Sequence, residues 1–522
     1  MDSVARQLRQ LGRRGMLRGA AGLAALAALP GSAVAQEAVA GNPFTLGVAS
    51  GDPLPDSVVL WTRLAAAPLQ PGGGMGGAVV AVGWELAADE GFRQVVQSGT
   101  AEARPESGHA VHVEPSGLQP GREYWYRFTA GGERSPAGRT RTAPAPGTTP
   151  ARLRFVNAGC QRFDHGYFTA WRHVAEEAPL DFVFHYGDYI YEYAMRQPGQ
   201  WRPGLAPRDH AGGECVTLEE YRRRYAQYHA DADLQAAHAA HPFIASFDDH
   251  EVENNWAAAH SAKAGSSPEF LLRRAAAFQA WFENMPVRRA LRPRGPDILM
   301  HRRFGFGTLL DLHVLDTRQY REVQPCGGGF RQPCEAVTRP EAQMLGAAQE
   351  DWLLRGVAES RARWQVLAQQ VVMMRRARGG AVSMDAWDAY PAARARLAAG
   401  LHARRADAVV LTGDVHAAWA GSLRLDPLDA ASPGVAAEFV GTSISSGGDG
   451  SETVASTAQF LRENPHIRFY NNRRGYTLHD AMPGRLDAVF RAVAQVSQPG
   501  AAREDRGHFV VEAGRPGEVQ PA

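Results

Sequence analysis

The chain has 522 residues, a length that predicts two or three structural units rather than one small domain. Hydrophobic residues make up 44% and charged residues 21%, as in an ordinary globular protein. With 56 basic against 55 acidic residues, the composition argues against a general nucleic-acid binder and gives no reason to expect attraction to an anionic membrane.

The first 35 residues have the pattern of an export signal. A basic region that contains the pair Arg13-Arg14 precedes an Ala- and Gly-rich apolar run at 19–29, which is too short to span a bilayer. We therefore predict a signal peptide that is cleaved after Ala35. The arginine pair favours the twin-arginine export machinery as partner, with an ordinary secretory signal as the alternative. We expect a periplasmic or secreted protein without a transmembrane segment.

Residues 40–147 are predicted to form an all-β unit. Short runs such as VVLWTRL, AVVAVGWEL and REYWYRFTA are separated by Gly and Pro turns. Their spacing predicts a small β-sandwich, and residues 118–127 resemble the late strands of a fibronectin type III-like module. The Pro-rich segment 142–147 is then a linker.

From residue 151 to about residue 510, β-type runs alternate with helical segments, which predicts an α/β unit. Strands are expected to end at Cys160, Asp188 and Asp249, and further strands are expected in TLLDLHVLDTR, WQVLAQQVVM and ADAVVLTGD. Helices are expected at 168–178, 218–239 and 268–284. The apolar spacing at 486–496 also predicts a helix, and the tail from Pro499 is expected to be loosely ordered.

Four segments place ligand-type side chains at strand ends, where sites form in α/β sheets: NAGCQ, GDYIYEY, DDHE and GDVH. Asp188 is suited to bridge two cations, and Tyr191 is spaced to return to the same ion as a phenolate. Asp414 and His416 offer a carboxylate and an imidazole. Taken alone, an Asp that caps a helix beside a core tyrosine explains GDYIY equally well.

The other two segments add an acid, a histidine and a thiol. Asp249 is a candidate metal ligand, and His250 is a candidate to protonate a leaving oxygen, with Glu251 orienting its imidazole. A charged first turn of a helix is the alternative for DDHE, and Asn254 is a weaker candidate ligand. Cys160 is either a thiolate ligand or nucleophile, or a buried small hydrophobic residue.

The remaining cysteines bear on the compartment. Cys326 and Cys334 flank a Gly-rich loop and are candidates for a disulfide in an oxidising environment, with two free thiols as the alternative. Cys215 has no evident partner.

In their order along the chain, these motifs resemble the alkaline phosphatase D family of metallophosphoesterases. The similarity begins at FTLGVASGDPLPDSVVLWTRL and continues through SFDDHEVENNW, LDTRQYR, VLTGDVHAAW and GTSISSGG. It therefore covers nearly all of the chain after the signal. The resemblance implies a four-layer α/β/β/α metallophosphoesterase fold at 151–510, preceded by the β-sandwich at 40–147.

The resemblance also implies hydrolysis of small phosphate esters by attack of a metal-activated hydroxide or oxide, with one Fe³⁺ ion and one or two Ca²⁺ ions as cofactors. His250 would assist the leaving group. The ligands that it implies are Cys160, Asp188, Tyr191 and His416 for iron, and Asp188, Asp249, Asp414 and, more weakly, Asn254 for calcium.

Arg162 and Arg318 are candidates to grip the phosphate, because a guanidinium matches its geometry. Three functions stay open on the sequence: a phosphomonoesterase, a phosphodiesterase such as one of phospholipase D type, and a non-catalytic binding module on the same fold.

Overall fold

The structure is a computed structural model of the chain, and it describes residues 41–196 and 207–522. The predicted signal peptide, with Arg13 and Arg14, lies outside the described residues. Within the described ranges, no helix combines the length and the apolar character needed to cross a bilayer.

Residues 41–147 form strands without an α-helix. The eight strands of this region are β1 (Val48–Leu54), β2 (Ser57–Arg63), β3 (Val80–Ala87), β4 (Val95–Ala103), β5 (Ala110–Val113), β6 (Glu123–Ala130), β7 (Glu133–Arg134) and β8 (Gly138–Arg141).

The rest of the described chain mixes strands and helices. Its strands are β9 (Leu153–Ala158), β10 (Phe182–His185), β11 (Pro242–Ala245), β12 (His260–Ser261), β13 (Gly265–Ser266), β14 (Arg302–Phe306), β15 (Leu310–Val314), β16 (Phe330–Arg331), β17 (Trp364–Ala368), β18 (Ala377–Arg378), β19 (Ala381–Ser383), β20 (Asp407–Thr412), β21 (Ala418–Arg424), β22 (Gly434–Val440), β23 (Gly450–Ser451), β24 (Ile467–Arg473), β25 (Gly475–Ala481), β26 (Arg485–Val493), β27 (Arg503–Glu512) and β28 (Gln520–Pro521). Its helices are α1 (Thr169–Ala175), α2 (Leu218–His229), α3 (Ala232–Ala240), α4 (Pro268–Asn284), α5 (Ala347–Glu359), α6 (Pro391–Arg404) and α7 (Thr457–Glu463).

Two large mixed sheets dominate the fold. One has the strand order β28-β27-β26-β25-β9-β10-β11-β1-β2-β5, and the other has the order β14-β15-β17-β20-β22-β21-β24-β23. Neighbouring strands β9, β10 and β11 are parallel, as are β15, β17, β20 and β22. The carboxyl ends of these parallel strands are therefore available to build one site.

The apolar side chains explain how the sheets and helices pack. Successive residues of a strand face opposite sides, so Phe155 packs between the two large sheets while Val156 packs beneath α1 to α4. On the eight-stranded sheet, Val366 likewise faces the other sheet, whereas Leu367 packs with α5 and α6. Both large sheets are thus covered on two faces, which is typical of parallel strands with long apolar runs.

The N-terminal strands share a sheet with the rest of the chain. Strands β3, β4, β6, β7 and β8 form a five-stranded sheet of their own, but β1, β2 and β5 extend the ten-stranded sheet. Strand β1 pairs in parallel with β11, with Ser50 opposite Pro242. An apolar cluster that includes Leu60 and Tyr126 fills the space between the two layers.

Capping residues set the ends of two helical segments that the sequence predicts. The helix predicted at 268–284 is confirmed with both bounds, because Ser267 accepts the N–H of Phe270 as an N-cap and Pro268 occupies the first turn. The segment 218–239 instead forms two helices, α2 and α3. Asp231 interrupts it, since its carboxylate caps the N–H groups at the start of α3.

The C-terminal predictions were wrong. Residues 485–493 form strand β26, which pairs with β25 and β27, so the helix predicted at 486–496 does not form. The tail after Pro499 contains the ten-residue strand β27 rather than loose chain. The apolar pattern of this segment is compatible with a helix and with a strand. The strand pattern is the alternation of Leu486, Ala488, Phe490 and Ala492, and pairing with β25 and β27 on both sides selects the strand.

Candidate metal centre

Five of the predicted ligands follow the carboxyl ends of four parallel strands. Cys160, Asp188 and Asp249 come two to four residues after β9, β10 and β11 of the ten-stranded sheet. Asp414 and His416 come directly after β20 of the eight-stranded sheet. The candidate site therefore lies where the edges of both large sheets meet.

Tyr186 brings these edges close together. Its ring lies against Gly159 and Gly413, and a Cβ at these two positions would come within 2.4 Å and 2.2 Å of the ring. Its hydroxyl donates a hydrogen bond to the carbonyl of Thr442 at 2.5 Å. The two glycines are required because any side chain would separate the loops of Cys160 and Asp414.

Four of the candidate ligands adopt left-handed backbone conformations. The φ values are 51° at Cys160, 54° at Asp188, 67° at Asp414 and 53° at His416. Such a conformation costs an L-residue about 1–2 kcal/mol, less for Asp, and is retained where the surrounding structure enforces it. Here the strained turns direct four side chains towards one another.

The side chains form three groups that share members. In each group, potential ligand atoms lie within 4.8 Å of one another. The groups are Cys160, Asp188 and His416; Asp188, Asp249 and His250; and Asp248, Asp249 and Asp414.

Several carboxylate oxygens of these groups have no hydrogen-bond donor. Oδ1 of Asp188, Oδ2 of Asp248 and Oδ1 of Asp249 are buried and accept no hydrogen bond from the described residues. Burial raises the pKa of Asp188 to about 6 and that of Asp248 to about 8. Leaving buried acceptors unpaired is unfavourable, and cations would satisfy them. The donor set therefore fits metal ions.

The donors differ in kind between the two ends of the cluster. Cys160, His416 and Tyr191 offer sulfur, nitrogen and phenolic oxygen, which suit a transition metal. Asp248, Asp249 and Asp414 offer only carboxylate oxygens, which suit a hard cation. Asp188 belongs to two of the three groups and stands at the sulfur-containing end.

Tyr191 lies at the sulfur-containing end as well. Its hydroxyl donates to Oδ2 of Asp188 at 2.7 Å, lies 3.1 Å from Nε2 of His416 and accepts a hydrogen bond from Ser446 at 2.7 Å. Burial and the charge of Asp188 raise the pKa of Tyr191 and of the Cys160 thiol well above their usual ranges. Both groups keep their protons until a cation replaces them, so ion binding would release protons.

His250 is oriented by Glu192 and not by Glu251. Its Nδ1 lies 2.7 Å from Oε2 of Glu192, which leaves Nε2 as the nitrogen available to the site. Burial would lower the pKa of His250, but the charges of Asp249 and Glu192 outweigh it and raise this pKa to about 10. Glu251 instead accepts the backbone N–H groups of Asp188, Tyr189 and Asp248, and so fixes two ligand loops.

The expected role of Arg318 in gripping phosphate needs correction. Its side chain is fully buried and donates to Asp248 at 2.5 Å and Asp385 at 2.9 Å. Its remaining nitrogen lies 3.6 Å from Asp249 and 3.7 Å from Asp414. Arg318 therefore stands behind the carboxylates as their counter-charge, where solvent does not reach it.

The other weaker candidates lie at the rim. Arg162 makes a two-point ion pair with Asp164, at 2.8 Å and 3.1 Å, and lies over the ring of Tyr193. Asn254 accepts a hydrogen bond from Tyr193 at 3.3 Å. The charge of Arg162 is thus already shared with a carboxylate.

Comparison with known proteins identifies the family of the chain. A family model described as "PhoD-like phosphatase" matches residues 155–490, and one described as "PhoD-like phosphatase, N-terminal domain" matches residues 31–144. The chain belongs to the PhoD-like phosphatase family.

Individual relatives support this membership. The chain is 48% identical over 480 residues to alkaline phosphatase D of Bacillus subtilis (strain 168), covering 91% of this chain and 82% of the relative. A solved structure titled "Structure of PhoD" superposes with a TM-score of 0.89 at 47% identity and covers 92% of both chains. This PhoD-like phosphatase is accordingly a phosphoesterase.

The sequence analysis did not single out several residues of this candidate metal centre. Asp248 was overlooked beside Asp249, and Glu192 was read only as part of GDYIYEY. Asp385, which pairs with Arg318, comes from a distant loop that carries no motif. The doubled acid in DDHE was the one local signal that pointed to Asp248.

Cys326 and Cys334 form a disulfide that closes the Gly-rich loop, with 5.9 Å between their Cα atoms. Cys215 is buried and free, as is Cys160.

Proposed function

We propose that this phosphoesterase hydrolyses small phosphate esters with a chain of metal ions held across the two sheet edges. Cys160, Asp188, Tyr191 and His416 would hold one Fe³⁺ ion. Asp188, Asp249 and Asp414, with Asp248 beside them and Asn254 at the rim, would serve one or two Ca²⁺ ions. When bound, the ions supply positive charge that attracts phosphate oxygens and activates water.

The unpaired carboxylate oxygens of Asp188, Asp248 and Asp249 are the observation that carries the proposal. Satisfied buried acids would give no reason for cations to bind. Here oxygens of three acids lie close to one another. Arg318 is the counter-charge of Asp248 and Asp249. Protonated His250 is the cation beside Asp188 and Asp249.

The chain's own residues supply the proton chemistry. Glu192 accepts the Nδ1 proton of His250, and because the pKa of this histidine is raised to about 10, Nε2 holds a second proton near neutral pH, placed to stabilise the leaving oxygen. Arg318 keeps the acidic side chains apart and in place. The resemblance to the family, together with two sheets covered by helices, supports the proposed four-layer α/β/β/α arrangement behind the site.

We also propose export by the twin-arginine route to the periplasm or beyond, on the pattern of Arg13-Arg14 in the first 35 residues. The disulfide between Cys326 and Cys334 supports an oxidising compartment.

The test is hydrolysis of a chromogenic phosphate monoester before and after a chelator strips the purified protein, with metal content measured in parallel. We expect activity to disappear with the metals and to return when iron and calcium are added together. Full activity in protein shown to be metal-free would contradict the proposal. The same assay on a diester of the same alcohol separates phosphomonoesterase from phosphodiesterase.

A further inference from the structure

A cavity is lined in part by strand β21, which follows the loop of Asp414 and His416. Its volume is about 270 Å³, and its lining includes Phe330, Arg376, Arg378, Trp419, Phe460 and Tyr470. Trp419 follows His416 by three residues, and Val415 packs on the same apolar cluster as Trp419. The cavity wall is therefore continuous with the loop that carries two candidate ligands.

The walls of this cavity are aromatic. Trp419 meets Phe460 and Tyr470 edge-on, with ring centroids 4.4 Å and 4.9 Å away, and its indole N–H has no acceptor among the described residues. Phe330 is exposed to 39% and belongs to the loop closed by the disulfide. Flat apolar walls of this kind favour a ring or another flat apolar group.

Two arginines of the cavity make no ion pair within residues 41–196 and 207–522. The guanidinium of Arg376 lies 5.9 Å from the ring centroids of both Phe330 and Trp419, and that of Arg378 lies 5.1 Å from Phe330. Nε of Arg376 is shielded from solvent and has no acceptor. By contrast, the nearby Arg394 is paired with Asp388 at 2.6 Å.

Arg376 lies on the wall of the cavity that continues from the ligand loop. Its guanidinium is 5.9 Å from the ring centroid of Trp419, which follows His416 by three residues. The charge of Arg376 is thus presented beside the strand that leaves the metal centre. A partly buried cation without a partner is unfavourable unless an anion joins it.

We propose that this cavity binds the organic group of the phosphate ester and that it favours a ring bearing a second negative charge. The aromatic walls accept the ring, and Arg376 with Arg378 accepts the charge. The inference rests on the proposed function for the position of the phosphate, but the cavity itself is a separate binding site.

The kinetic test compares three monoesters: para-carboxyphenyl phosphate, phenyl phosphate and glycerol phosphate. Each value of kcat/KM is expressed as a ratio of Arg376→Met to unchanged protein, so that the intrinsic reactivity of the ester cancels. We expect Arg376→Met to lower kcat/KM about tenfold or more for the carboxyphenyl ester and much less for the other two. The matched control is Arg361→Met, an exposed arginine near the amino end of β17, far along the chain from the ligand loops.

An equal fall in kcat/KM for all three esters, or no fall for any of them, would overturn the inference.

A binding measurement tests the cavity independently of catalysis. Calorimetry should show para-hydroxybenzoate binding to the unchanged protein and about tenfold weaker binding to Arg376→Met. If no ester is hydrolysed but this binding difference holds, the proposed function fails and the cavity assignment stands. Absent or equal binding would remove the assignment.

Discussion

The buried carboxylate of Glu438 and the acidic cluster of the metal centre lie close together in the fold, but Glu438 is supplied with hydrogen-bond donors and the cluster is not. Glu438 on β22 accepts the N–H groups of Met373 and Met374 and the hydroxyl of Thr412, at 2.5 to 2.9 Å. Two residues after Thr412, the acidic cluster begins at Asp414. There, oxygens of Asp188, Asp248 and Asp249 have no donor among the described residues.

Burial alone therefore does not mark a functional acid. Burial raises the pKa of both Glu438, to about 7, and Asp248, to about 8. The difference lies in the surroundings, since Glu438 is surrounded by donors and the cluster is surrounded by other acids. Missing donors, rather than depth or pKa, point to cations.

Replacing Glu438 and one acid of the cluster, each in its own variant, tests the comparison most strongly. Asp188→Asn should lose bound metal and lower kcat/KM about a thousandfold or more, because the ions supply several kcal/mol of transition-state stabilisation. Glu438→Gln, the matched control, should keep its metal content because the partners of Glu438 are donors of the protein, two backbone N–H groups and the hydroxyl of Thr412. The measurements are the metal content and the monoester hydrolysis of both variants. Equal loss of metal in Asp188→Asn and Glu438→Gln would show that the missing donors do not mark the metal ligands.

Removing the positive charge of Arg318 should have the next largest effect, which is a loss of stability. Arg318→Met removes the neighbouring guanidinium from Asp248, Asp249 and Asp414, while Asp385 keeps its pair with Arg321. We therefore expect the free energy of unfolding of the metal-free protein to fall by about 3–5 kcal/mol. Urea unfolding measures it, and added divalent cations should recover part of the loss. The control is Arg396→Met, whose pair with Glu350 is partly exposed and should contribute no more than about 1 kcal/mol. A loss as small as in that control would show that Arg318 does not balance the acids.

The protonation of Glu438 should make a measurable contribution to the pH dependence of stability. Its pKa is raised from 4.5 to about 7, so the native protein holds a proton across this range that the unfolded chain has lost. The free energy of unfolding should therefore fall as pH rises from 4.5 to 7, by up to about 3 kcal/mol relative to Glu438→Gln. Parallel stability curves for the two proteins would mean that donors already hold Glu438 ionised.

The two buried free cysteines offer the finest comparison. Cys160 stands in a ligand group with Asp188 and His416, whereas the Cys215 thiol donates to the carbonyl of Glu220 at 3.6 Å. Cys160→Ser should weaken iron binding by roughly 10-fold or more, because a hydroxyl is a poorer ligand than a thiolate. Cys215→Ser should bind iron as before. Iron titration into stripped protein distinguishes them, and equal affinities would exclude Cys160 as a ligand.

Much of the molecule was set by local sequence. Helix α4 has both of its predicted bounds because the cap at Ser267 and the proline after it act within one turn. The strand ends before Cys160, Asp188 and Asp414 followed from apolar runs that stop at glycine-containing turns. The ordered motifs were enough to indicate the family.

Only the tertiary structure decided which side chains have partners. The segment 486–496 fits two periodicities, and pairing with β25 and β27 made it a strand. Glu192 rather than Glu251 orients His250, and Arg318 rather than solvent faces Asp248. Hydrogen bonds and ion pairs join residues far apart in the chain, so a motif can name a donor or an acceptor, but the fold determines whether its partner is the protein or a ligand.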